Sequence, residues 1–139
     1  MAESNLNVAI SVVVEEGNLS GATNVIELAG GTITDQPKPY DAPVDEIDDY
    51  ADAQFEPLMI IAVTLSLAAL TKVLSDVWLD HTRPGGQTLD ARTFPATWRP
   101  APFLERGTLV VIAHDGPTVY RPNQKNEGLE AIKRVFGGG

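Results

Sequence analysis

Apolar and polar residues alternate from Leu6 to Val14. Leu6, Val8, Ile10, Val12 and Val14 fall on one side, and Asn7, Ala9, Ser11 and Val13 on the other. A period of two carried by β-branched residues predicts a half-buried strand. Glu15-Glu16-Gly17-Asn18 follows as a turn. Residues 23–29, TNVIELA, read as a second strand ended by Gly30-Gly31, with Thr32-Ile33-Thr34 as a short continuation. Together they predict an N-terminal antiparallel hairpin.

The longest apolar run spans Glu56 to Asp80. From Leu58 to Leu70 there is no charge, glycine or proline. Leu, Ala and Met favour helix, and 25 residues exceed any ordinary strand. Pro57 suits a first helical turn, and His81-Thr82-Arg83-Pro84-Gly85-Gly86 terminates a helix. Thr64, Ala68, Thr71, Lys72, Ser75 and Asp76 would form a narrow polar stripe on this helix. The wide remainder needs cover on several sides.

Beyond it, Gln87–Arg92 reads as a short strand. Pro95, Pro100 and Pro102 impose an extended path with Phe94, Trp98 and Phe103 as apolar anchors. Residues 107–122 predict a hairpin about His114-Asp115-Gly116, because Gly after Asp accepts positive φ. From Asn123 a short helix is expected, with Asn126 as N-cap, Leu129, Ile132 and Phe136 on one face, and Gly137 at its end.

The pattern gives an α+β fold in which antiparallel β-hairpins pack on one long central apolar helix, with a short C-terminal helix. Residues 1–34 form the hairpin, 35–56 an acidic proline-containing linker, and 57–139 the rest of what is read as one domain. In the linker, three prolines and eight carboxylates share 22 positions. Ile47, Ala51 and Phe55 lie at four-residue steps, which permits a short helix there.

Charge sharpens the division. Residues 1–57 hold 12 carboxylates against one lysine, and the remainder holds 7 against 9 basic residues, within a net charge of −9. An acidic chain without a basic patch is a poor holder of phosphate backbones, so nucleic acid is not an expected partner. The asymmetry suits a basic protein partner or contact between the two halves. There are no cysteines, which excludes disulfides, thiolate metal sites and cysteine nucleophiles. The N-terminus lacks the basic region of a signal peptide, and a cytoplasmic location is expected.

Catalytic chemistry is sparse. The two histidines, His81 and His114, each adjoin an aspartate. Asp76, Asp80 and His81 supply too few nitrogen ligands for a transition-metal site. Asp45, Glu46, Asp48, Asp49 and Asp52 lack the glycine and terminal Glu spacing of a calcium loop. No nucleophile elbow or phosphate-binding loop is present. No cofactor, metal or catalytic residue is therefore assigned.

The expected function is non-enzymatic: a protein-interaction or assembly subunit, meeting a protein partner or further copies of itself. The strand and central run would supply the contacts, through Val8, Ile10, Val12, Ile61, Leu65, Trp78 and Trp98. One alternative is a membrane-associated accessory protein inserting 58–70. That charge-free run is 13 residues, whereas a span needs ~20. Another is a small enzyme or regulatory domain with a site near His81 or His114.

Overall fold

A computed structural model describes residues 7–40, 57–80 and 85–137. Its core is one mixed sheet with helices on one face. The strands are β1 (Asn7–Glu15), β2 (Thr32–Ile33), β3 (Lys38–Pro39), β4 (Leu58–Ser66), β5 (Gly86–Asp90), β6 (Ala96–Ala101), β7 (Leu109–Ala113) and β8 (Gly116–Tyr120). The helices are α1 (Leu19–Leu28), α2 (Leu67–Trp78) and α3 (Lys125–Gly137). The sheet order is β2-β4-β1-β6-β5-β7-β8, with β3 also on β4.

The long central helix is not formed. Its first half is strand β4, which pairs antiparallel with β1 over nine residues, from Asn7 with Ser66 to Glu15 with Leu58. Ile60, Ile61, Val63 and Thr64 are β-branched and pack well on a pleated surface. The chain then turns directly into α2 at Ser66. Its φ/ψ of −65°/152° is still extended, and its hydroxyl accepts from the Ala69 N–H at 3.2 Å. A serine N-cap thus ends the strand and starts the helix without a loop.

The N-terminal hairpin is also absent. Residues 19–28 are helical, because Leu19, Ala22 and Ile26 fall at three- and four-residue steps and pack against the core. Strand β1 finds its partners far along the chain: β4 on one side and, in parallel, β6 at Ile10–Val12 on the other. Strands from either side of residues 41–56 therefore belong to one sheet. The short helix expected within 45–55 lies outside the described residues, as does His81.

The C-terminal expectations fare better. Residues 86–90 are a strand and 109–120 a hairpin, although the two loop residues are His114 and Asp115, with Gly116 (φ 127°) opening β8. The C-terminal helix begins at Lys125, one residue before the expected cap, after a 3-10 turn at Pro122–Gln124. Closing a two-residue loop makes Ala113–Gly116 a hydrogen-bonded pair, so Pro117 and Val119 face the outer edge of β8. Proline has no N–H to offer there, which blunts this edge against strand addition.

Register assigns the two faces. Ile10 and Val12 of β1 lie level with Val63 and Ile61 of β4, and with Ala96 and Trp98 of β6. Leu89, Leu109 and Val111 continue this face across β5 and β7. Ile26 of α1, Leu70, Leu74 and Trp78 of α2, and Ala131 and Ile132 of α3 cover it as one core. Trp78 donates from Nε1 to the Gly107 carbonyl at 2.8 Å. Its ring lies so close to Gly128 that a Cβ there would clash with Cη2. Glycine at 128 thus lets α3 approach α2.

The other face carries a buried polar cluster. Asp90 and Arg99 are 4% and 2% exposed. Asp90 accepts from the Arg92 backbone N–H (3.0 Å), Arg92 Nε (2.9 Å) and Nη2 (2.8 Å), and Arg99 Nη1 (3.1 Å).

Candidate functional site

Helices α1 and α2 run antiparallel over β1, because α1 follows the end of β1 and α2 follows the end of β4. Helix α2 packs against α3, whereas a cavity of about 740 Å³ separates it from α1. That volume falls within the range of ~300–1,000 Å³ common for small-ligand sites. The floor is Ile10, Val12 and Val14 of β1, Val63 and Leu65 of β4, and Trp98 of β6. Ala22, Val25 and Ile26 form the α1 wall, and Leu70, Val73, Leu74 and Val77 the α2 wall. Apolar side chains at helical spacing on both helices thus face each other across a gap.

The polar lining is unevenly placed. Glu15, Asn18 and Ser20 sit where β1 gives way to α1, and Asp80 lies just past the end of α2. Both helix ends are at this end of the cavity. They are opposite ends, an N-terminus and a C-terminus, so their dipoles largely offset. Among the described residues, the charged members of the lining are Glu15 and Asp80. Deeper in, β5 contributes Gln87, 5% exposed and paired in register with Pro100. Next to it, Trp98 is 2% exposed, and its indole Nε1 is buried without a hydrogen-bond partner among the described residues.

The residues expected to meet a partner divide between cavity and core. Ile10, Val12, Leu65 and Trp98 line the cavity. Ile61 and Trp78 are closed within the core, and Val8 packs at its margin. Strand addition at Ile10–Val12 has no free edge to use, since β4 and β6 occupy both sides. His114 is exposed in the β7–β8 turn beside Asp115. Among the described residues no group of three or more His, Asp or Glu is placed to hold a metal. No helix among them is long and apolar enough to cross a membrane.

The α1 wall lies where the pattern of residues 23–29 predicts a strand. The signal for helix there is the Leu19, Ala22, Ile26 spacing. The Asp90–Arg92–Arg99 cluster has no local signature. Asp90 and Arg92 are close in sequence, but Arg99 joins them only through the β5–β6 register, which pairs Thr88 with Arg99 and Asp90 with Thr97.

The chain matches no family model, no curated protein and no solved structure.

Proposed function

We propose that this protein is a non-enzymatic binding module that takes an apolar guest between α1 and α2. The cavity carries the reading: a mostly apolar cleft of about 740 Å³ between two helices that pack on the same sheet face. A half-open cleft of this size with a mostly apolar lining is a place where a guest gains dispersion and loses water. The catalytic inventory supports binding over chemistry. The buried carboxylate, Asp90, is engaged by two arginines and sits on the opposite sheet face.

Nile red, an uncharged dye that brightens in apolar surroundings, tests this. The purified chain is expected to give a saturable, one-to-one fluorescence gain. Val73→Trp, which fills the gap from α2, should remove at least nine-tenths of it while leaving the circular dichroism spectrum unchanged. Ala22→Leu fills the gap from α1 and serves as the second variant. A gain that is absent or unsaturable in the parent, or undiminished in both filled variants, would sink the proposal.

A second reading keeps an assembly role. Val25 and Leu28 of α1 are 50% and 79% exposed, so this helix presents apolar side chains outward as well as toward the cavity. A protein partner or a second copy covering α1 would bury them. Light scattering after size exclusion separates the possibilities: a discrete multiple of 14.9 kDa that collapses to monomer in Leu28→Lys supports self-assembly, and a monomeric parent removes it.

A further inference from the structure

We propose that Asp115 is a site of self-modification: with Gly116 it closes to a succinimide, which reopens to isoaspartate as well as to aspartate. The inference is independent of the cleft and concerns the tip of the β7–β8 hairpin.

The sequence narrows the reaction to one place. The ring forms when the backbone nitrogen of the following residue attacks the aspartate Cγ, and a side chain on that residue obstructs the approach. Asp115-Gly116 is the one Asp-Gly step in the chain, and no Asn-Gly step occurs. Glycine also accepts the backbone angles that a planar ring imposes.

The hairpin supplies access. Asp115 is exposed in a two-residue loop closed by the pairing of Ala113 with Gly116. Among the described residues no partner holds its carboxyl. Gly116 has φ 127°, and a Cβ there would meet no other atom within 4 Å, so the space beside it is open. Its N–H belongs to the last rung of the ladder, and β8 is the edge strand. Rungs at such ends open at little cost. Asp90 is the contrast. It precedes Ala91, a residue nearly as small, yet it is 4% exposed and four hydrogen bonds fix its carboxylate.

The atoms balance without a co-reactant. The Gly116 nitrogen bonds to Asp115 Cγ, the Cγ–OH bond breaks, and the amide proton leaves with the hydroxyl as water. Water then opens the ring. Attack at Cγ restores aspartate. Attack at the main-chain carbonyl of Asp115 gives isoaspartate, in which the chain runs through Cβ and Cγ. The mass returns to that of the parent, but the loop is one methylene longer. Loop length sets hairpin register, so the change acts on the pairing of Thr118 with Val111.

The test holds the full chain at 37 °C and pH 6 for four weeks. Peptides are then mapped by mass after digestion with endoproteinase Asp-N, which cuts before aspartate and not before isoaspartate. A protein isoaspartyl methyltransferase with labelled S-adenosylmethionine counts isoaspartate separately on the peptide that carries residue 115. Cleavage before Asp115 should fall progressively, methylation should rise to match, and cleavage before Asp90 should stay constant. Asp115→Glu, whose ring would have six members, should lower that methylation at least tenfold. Cleavage lost no faster before Asp115 than before Asp90 would overturn the inference, as would methylation undiminished in Asp115→Glu. The peptide map of the parent is read independently of whether that variant folds.

Discussion

Replacing Asp90 with alanine is expected to destabilise the protein by about 3–5 kcal/mol, the range for breaking a buried ion pair from one side. The carboxylate is 4% exposed and accepts four hydrogen bonds from Arg92 and Arg99. Arg99, at 2% exposure, would keep its charge in the interior after the change. Urea unfolding measures the loss. The effect carries a pH signature. The Arg92 guanidinium, with its backbone N–H and then Arg99, holds the Asp90 carboxyl well below the usual carboxylate range, against burial, which pushes it up. In the unfolded chain the same group titrates near its ordinary value of about 3.9. Below that value the unfolded state binds the extra proton, so the stabilisation is complete above it and is lost as pH falls through the lowered folded value. Asp90→Asn should therefore trail the parent by a constant margin from pH 7 to 5, and by a smaller one at pH 3. An equal margin at pH 3 would mean that the carboxylate is not held by the arginines.

Val63→Asp is expected to abolish folding or cost more than about 4 kcal/mol, because an unpaired charge would enter the apolar core. Val63 is 2% exposed and lies level with Ile10 of β1 and Ile33 of β2. Its neighbour Thr64 projects to the opposite face and is half-buried. Thr64→Asp should cost about 1 kcal/mol. Leu67 opens α2 and is also half-buried. An aspartate there gains from the helix N-terminus, worth about 0.3–1 kcal/mol against the lost contacts, so Leu67→Asp should melt close to the parent. A continuous helix would place positions 63 and 67 on one face and make them respond alike. Thermal melts of the three single variants distinguish strand-then-helix from one helix: matching behaviour at 63 and 67 would contradict the fold described.

That comparison also marks where the sequence was legible. The β7–β8 hairpin could be read because Asp115-Gly116 punctuates two β-branched runs. The first strand could be read because its polar positions, Asn7 and Ser11, alternate cleanly with Val8, Ile10 and Val12. In β4 the alternation is hidden: Leu58, Ile60 and Ala62 on the second face are as apolar as Met59, Ile61 and Val63 on the first. With polarity constant, period two and period 3.6 look the same, and the length of the run favoured helix. Ser66 was the overlooked boundary. In α1 the exposed Val25 and Leu28 broke the helical contrast that Leu19, Ala22 and Ile26 carry. The cavity was legible only as a set of apolar residues. Ile10, Val12, Leu65 and Trp98 were singled out, but their convergence depends on β1 lying between β4 and β6, a pairing that no local pattern specifies. The same long-range register hides the Asp90–Arg99 contact.

The most direct test of a guest site between α1 and α2 is a set of methyl NOEs from bound Nile red. The account predicts cross-peaks to Val25 of α1 and to Val73 and Val77 of α2, all of which line the cavity. It predicts none to Val110 or Val119, whose side chains project from the opposite sheet face. Cross-peaks confined to Val110 and Val119, or spread evenly over both sets, would place any bound molecule outside the cavity and contradict it.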